Sequence, residues 1–182
     1  MSFADARPWA KAIRDEVLSG RMPPWPPRRG VGEFENDRSL SAPAAAILVS
    51  WAEGGAPEGN ADDLPVGDPV APPSMDQPAD LPILEVRGQR TITQRTIVLS
   101  VRPIAAHGES VEVGVVRADG GRQPLVWIPV FDPRRSYTYR LREPIELEPQ
   151  DRVEVWTPGR GRAELSIKLS DPPSPPSAKP SR

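Results

Sequence analysis

The stretch that decides the fold is SVEVGVVRADGGRQPLVWIPV, residues 110–130, in which apolar and polar residues alternate around a central turn. Val111, Val113 and Val115 are two residues apart, so a strand would place all three on one face. The run Asp119-Gly120-Gly121 is typical of a tight turn between antiparallel strands. This stretch therefore predicts a β-hairpin.

The same two-residue period continues from Ile83 to Leu169 and predicts a series of short strands. Turns rich in Gly, Asp and Pro favour an antiparallel arrangement over a parallel one. The expected fold class is mainly β with a small α segment, in which residues 83–170 form an antiparallel β-sandwich or open barrel. The candidate strands are 83–87, 91–102, 110–117, 124–130, 136–142, 151–156 and 163–169.

Two short helices are predicted ahead of the β domain, over residues 5–19 and 42–53. Apolar residues repeat at helical spacing in both, with Asp5 and Ser41 as the expected N-caps. Between them, the prolines of Met22-Pro23-Pro24-Trp25-Pro26-Pro27 predict polyproline II structure. Residues 1–55 are therefore expected to form one helical segment.

Two further segments are rich in proline, a residue that occurs 25 times in the chain of 182. Residues 56–82 combine Pro, Gly, Asp and Ala with little periodicity, which predicts an extended linker. Residues 171–182 form a polar tail that is expected to be disordered or extended, because it contains too little apolar surface to pack.

The composition restricts the chemistry. The chain has no cysteine, which excludes disulfides, thiolate metal sites and covalent haem attachment within it, and it has a single histidine, His107. The net charge of −2, with both signs interspersed, gives no basic surface for nucleic acid. No stretch is apolar and long enough to span a bilayer, so no transmembrane segment is expected. No nucleophile–base pair is evident, and the expectation is that the protein is not an enzyme.

Several motifs resemble a bacterial periplasmic family in which a cytochrome c-like module precedes a copper type II, ascorbate-dependent monooxygenase-like β module. The N-terminal likeness covers about the first third of the chain, and the likeness of the second half is weaker. The resemblance implies a two-helix cytochrome-like remnant before the β domain, and a periplasmic location. The motifs are ADARPWAKAI (4–13), MPPW (22–25), NDRSLS (36–41), WAEGGAPEG (51–59), VWIPVFD (126–132), YTYRL (137–141) and EPIEL (143–147).

The resemblance also indicates which cofactor positions this chain has lost. Met22 lies where an axial haem ligand is expected, but the haem-attachment motif is missing. Met22 is therefore expected to be a packing residue, and it would ligate the iron only if haem were present. Pro103 and Ala105 occupy the positions of the family's copper-binding histidine pair, and neither can ligate a metal. His107 is expected to be a surface residue. The expectation is that the chain holds no cofactor and no metal.

The favoured function is therefore a non-catalytic accessory or scaffold subunit that docks on a larger complex. The resemblance makes membrane-bound electron-transfer machinery, respiratory or photosynthetic, the expected partner class. The alternative is a fragment of a c-type cytochrome electron carrier whose haem motif lies upstream of Met1. The expected partner-binding residues are Trp9, Trp25, Trp51, Arg134 and Arg135, because tryptophans and arginines commonly anchor interfaces.

Overall fold

A computed structural model describes residues 2–63, 74–76 and 80–169. They divide into two compact units. The helical unit contains Met1–Trp25 and Asp37–Ser74, and the β unit contains Pro26–Asn36 and Met75–Arg182. The expected fold class is confirmed: the chain is mainly β, with two antiparallel sheets and a small helical part.

Eight strands are present in the described part of the β unit, four in each sheet. The first sheet has the order β1-β8-β3-β6 and the second the order β2-β7-β4-β5. The strands are β1 (Ile83–Arg87), β2 (Gln89–Thr91), β3 (Thr96–Ile104), β4 (Val111–Val116), β5 (Arg122–Ile128), β6 (Tyr139–Leu147), β7 (Arg152–Trp156) and β8 (Arg162–Leu169).

The strand pairing follows a nested pattern. β4 pairs with β5, β3 with β6, β2 with β7 and β1 with β8, all antiparallel. The strands thus pair like one long hairpin whose tip is the turn at Gly120, and this double strand folds over into two sheets. With β3 also paired to β8 and β4 to β7, the order is that of a jelly-roll sandwich.

The core lies between the two sheets. Successive side chains point to opposite faces of a sheet, so every second residue of a strand points into the core. Most of these inward residues are valine or leucine, and they are fully buried. The hairpin valines at 111, 113 and 115 are among them, as the sequence predicts. The other fully buried apolar residues of the sheets include Val86, Val98, Val101, Val126, Leu147, Val153 and Leu165.

Residues 26–36, here called the strap, pack along the outer strands β5 and β6. The Arg28 amide donates to the Trp127 carbonyl (2.7 Å), and Phe34 forms a β-bridge with Leu141. The Phe34 ring is buried and lies 5.3 Å from the Tyr139 ring, centroid to centroid. The strap therefore covers part of two sheet edges that would otherwise expose unpaired backbone groups.

Asn36 fastens the end of the strap. Its side chain is fully buried; Nδ2 donates to the Thr138 carbonyl (2.8 Å), and Oδ1 accepts from the Arg140 amide (3.0 Å). The Thr138 amide in turn donates to the Met75 carbonyl (3.0 Å). The chain thus leaves the β unit at Asn36 and returns to it at Met75, both beside Thr138.

The helical unit begins with α1 (Phe3–Ala6), a 3₁₀ turn (Arg7–Trp9) and α2 (Ala10–Leu18), followed by α3 (Ala42–Glu53). Ser41 caps α3, as predicted. The prediction that Asp5 caps the first helix is wrong: Ser2 is the N-cap, and the Asp5 carboxylate accepts from the Ser2 amide (2.7 Å) in a capping box. No helix among the described residues has the length and apolarity needed to cross a membrane.

Several boundaries differ from those predicted. The strand expected at 91–102 is two strands, β2 and β3, because Ile92 exchanges backbone hydrogen bonds with Asp151 and Gln150 at a turn between the sheets. The segment 22–27 is not uniform polyproline II, since the Trp25 amide donates to the Pro23 carbonyl (2.8 Å).

The division into units also differs from the expected segments 1–55, 56–82 and 83–170. The strap belongs with the β unit because its contacts are with β5 and β6, and the expected linker includes Met75, which is bonded to Thr138. Most of the expected linker and the whole expected tail, 171–182, lie outside the described residues.

Candidate functional site

The helical unit exposes large apolar side chains. Trp9 is 66% exposed, Leu18 65% and Ile47 69%. Met22 is also exposed, at 48%. Among the described residues of this unit, only Ala10 and Ala56 are buried apolar residues. We call Trp9, Leu18, Met22 and Ile47 the exposed apolar set. Tryptophan is a common anchor of protein–protein interfaces, so Trp9 is the strongest candidate for a contact residue in this set.

The other two tryptophans of the helical unit are in a different situation. Trp51 is half-buried, and its Nε1 donates to the Pro57 carbonyl (3.0 Å). This bond closes the turn that follows α3. Trp25 is also half-buried. Of the three tryptophans expected to bind a partner, Trp9 is therefore the one with most of its surface available.

The expected basic residues lie on the loop between β5 and β6. Arg134 and Arg135 belong to a 3₁₀ turn (Pro133–Arg135) that Asp132 caps by accepting from the Arg134 amide (3.0 Å). Both side chains are exposed, and neither forms an ion pair with any described residue. Their charge is therefore available to an acidic partner.

The positions matched to the copper ligands lie at the end of β3. Pro103 is in the strand and Ala105 follows it, and both are buried. The His107 side chain is 77% exposed, with Nδ1 3.9 Å from Asp132 Oδ1. Within the described ranges, no three His, Asp or Glu residues lie close enough together to hold a metal ion.

The outer face of the β2-β7-β4-β5 sheet carries two tryptophans that were not predicted to have a role. Trp127 and Trp156 flank Glu112 there, each directly opposite it in the register. The Arg28 guanidinium lies 5.3 Å from the Trp127 ring centroid, and that of Arg122 lies 4.4 Å from Trp156. Both indoles thus carry cation–π partners from this chain.

One signal in the sequence could have revealed this arrangement. Gly114 interrupts a run of valines in β4, and a glycine inside a strand often marks a close approach by another group. A Cβ at Gly114 would lie 2.9 Å from Trp156 Cζ3, so the indole lies directly over the glycine. No comparable sequence signal predicts the contact between Arg28 and Trp127, because the two residues are about 100 positions apart.

A partly buried ionic network around Asp151 connects the end of β4 with the loop between β6 and β7. Asp151 accepts from Arg117 Nη1 (2.9 Å) and from the amides of Ala118 and Glu148 (both 3.0 Å). Burial disfavours the charge of Asp151, but these hydrogen bonds outweigh it and hold its pKa below the usual value. Since every part of this network is satisfied internally, its role is structural.

No protein-family model matches the sequence, and no curated protein is significantly similar to it.

Proposed function

We propose that this protein is a non-catalytic accessory subunit that docks on a larger protein complex through its helical unit. The observation that carries the proposal is the exposed apolar set. Trp9, Leu18 and Ile47 each leave about two thirds of their surface in water. Burying such side chains against a partner would contribute roughly 1.5–3 kcal/mol for each aliphatic residue, before the cost of association.

We assign the β unit a structural role in this subunit. Its apolar core is buried between its own two sheets, and the strap connects the two pieces of the helical unit along the sequence. Arg134 and Arg135 supply a second, electrostatic contact, which would steer an acidic partner. The resemblance to cytochrome- and monooxygenase-containing periplasmic proteins makes an electron-transfer complex of that compartment the partner class that we propose.

Site-specific photo-crosslinking in the native host tests this function. A benzoylphenylalanine at position 9 should form an adduct with one protein, and the same probe at Glu58, an exposed polar position of the same unit, should not. The adduct should contain a subunit of a redox complex, and Trp9→Ala should reduce co-purification of that complex. Equal adducts from both positions, or a partner that co-purifies equally with Trp9→Ala, would contradict the proposal.

A further inference from the structure

The corner between β7 and β8 contains a hollow of about 430 Å³ whose charged lining residues are all arginines. Arg87 comes from the end of β1, and Arg160 and Arg162 come from the β7–β8 loop and the start of β8. Gly88, Gly159 and Gly161 bring backbone to the same wall. We call this hollow the arginine corner. It lies entirely within the β unit, so it is independent of the docking role proposed above.

The charges of these arginines are incompletely compensated. Arg87 Nε lies 2.6 Å from Glu85 Oε1, a close ion pair. Arg162 Nε approaches Glu85 and Glu164 only to 3.9 Å, and this buried nitrogen makes no hydrogen bond within the described part of the chain. The exposed Arg160 has no ion pair among the described residues. The Arg162 side chain as a whole is 39% exposed, so an anion in the hollow could approach its guanidinium and that of Arg160.

The loop backbone adds further donors. The amides of Gly159, Arg160 and Gly161 donate to no other group in the described ranges. Thr157 is already engaged, because its hydroxyl donates to Glu109 Oε2 (3.3 Å). Glu109 itself packs against Gly159, where a Cβ would lie 2.1 Å from its Oε1. Glu109 thereby fixes the loop, and Gly159 is the residue that allows the carboxylate to approach so closely.

We propose that the arginine corner binds a phosphate group, either as free phosphate or as the head of a phosphorylated ligand. Guanidinium groups bind phosphate oxygens through two parallel N–H donors, and unpaired loop amides are a recurrent complement to them. The hollow is lined by three arginines, of which Arg160 has no ion pair among the described residues, and by a loop whose three amides donate to no other described group, and together these offer this combination. Three carboxylates lie close by but do not line the hollow. Glu85 pairs with Arg87 and lies 3.9 Å from Arg162 Nε, as Glu164 does, and Glu109 accepts from Thr157.

Phosphate titration followed by ¹H–¹⁵N NMR of the full chain tests the proposal. Inorganic phosphate should shift the amides of Gly159 and Gly161 saturably, with a Kd on the order of 1 mM, at constant ionic strength. Arg160→Ala and the double variant Arg160→Ala/Arg162→Ala should weaken binding by about tenfold or more. The matched control Arg142→Ala/Arg152→Ala removes the same charge from exposed strand positions that do not line the hollow, and it should bind as the wild type does.

Two arms distinguish the source of the phosphate. Vesicles containing phosphatidic acid would compete with inorganic phosphate if the ligand is a lipid head group, whereas phosphatidylcholine vesicles would serve as the comparison. Once binding of inorganic phosphate is established, competition by phosphatidic acid vesicles assigns the ligand as a lipid head group, and lack of competition assigns it as a soluble phosphate. Shifts that follow sodium chloride equally, a control variant that loses as much affinity as Arg160→Ala, or no saturable shift at all would each overturn the proposal.

Discussion

The helical unit and the β unit differ most in what their apolar side chains contact. In the β unit, the inward residues of both sheets are fully buried, as Val98, Val113 and Leu165 illustrate. In the described part of the helical unit, the buried apolar residues are two alanines, and Trp9 and Ile47 face water. Both units have strong local signals for their elements. A local signal therefore creates a helix or strand, but a core requires enough elements to enclose it.

The strap adds a second contrast. The β unit recruits residues 26–36 from the middle of the N-terminal sequence, and this leaves the helical unit in two pieces, Met1–Trp25 and Asp37–Ser74. The unit with the better core therefore also has the longer-range contacts. Truncation of a large apolar side chain to alanine should therefore have very different effects in the two units.

Phe34→Ala should have the largest effect. The ring is buried between the strap and β6, so its removal leaves a cavity and should lower the free energy of unfolding by about 3–4 kcal/mol. Urea unfolding followed by tryptophan fluorescence measures this change. The matched control is Ile47→Ala in the helical unit, which should change stability by less than about 0.5 kcal/mol because the side chain is exposed. Similar losses in both variants would contradict the contrast between the units.

The sheets and helices were largely predictable from sequence, and the strap was not. The alternation of apolar and polar residues located the hairpin valines and seven of the eight strands, because each of those strands buries one face over several residues. It missed β2, whose three residues are all exposed. The strap has three buried residues, Pro27, Phe34 and Asn36, and their spacing follows neither a strand nor a helix period. Its partners at Thr138 and Leu141 are more than 100 residues away, so no local pattern could connect them.

The candidate sites divide in the same way. Trp9 and Arg134 could be selected from residue type and neighbouring sequence. The arginine corner could not, because it joins Arg87 with Arg162 through the pairing of β1 and β8. The Gly159-Arg160-Gly161 run was recognisable as a turn, but its unpaired amides become evident only when the hydrogen bonds of the fold are known.

Gly32→Ala should have the second-largest effect, and it tests how closely the strap fits. Gly32 has φ of +73°, and a Cβ there would lie 2.1 Å from the Leu125 carbonyl oxygen. The substitution should therefore cost about 3 kcal/mol, through left-handed strain and a clash with fixed backbone. Gly30→Ala is the matched control: its φ is +80° but its Cβ would meet nothing, so it should cost only about 1–2 kcal/mol. Thermal unfolding of both variants gives the comparison, and equal losses would mean that the strap does not pack on β5.

Asp151→Asn should come third, at about 2 kcal/mol near neutral pH, because the amide cannot replace three hydrogen bonds to a buried carboxylate. The pKa of Asp151 is lower in the folded than in the unfolded chain. Its stabilisation is therefore fully present above the unfolded pKa and is lost as pH falls through the folded pKa. The difference between variant and wild type should shrink in acid. Denaturant unfolding at several pH values measures it, with Asp119→Asn, an exposed carboxylate of the same hairpin, as the control.

Trp9→Ala should have the smallest effect on stability, and it is the most informative about function. The indole is 66% exposed, so its loss should change the free energy of unfolding by less than about 0.5 kcal/mol. Trp51→Ala removes a half-buried ring and its bond to the Pro57 carbonyl, and should cost about 1–2 kcal/mol. Circular dichroism at 222 nm would separate the two variants, because the signal there comes mainly from the helices.

Binding should reverse this order. If the helical unit docks through its exposed apolar set, Trp9→Ala should weaken the complex by about 2 kcal/mol, or roughly thirtyfold in Kd, while the isolated protein melts normally. Trp51→Ala should affect binding only as far as it unfolds the turn after α3, so a lower temperature should restore its affinity but not that of Trp9→Ala. If Trp9→Ala instead lowers the melting temperature and leaves the affinity unchanged, the ring is part of the unit's own packing. The exposed side chains of this unit would then not be its interface.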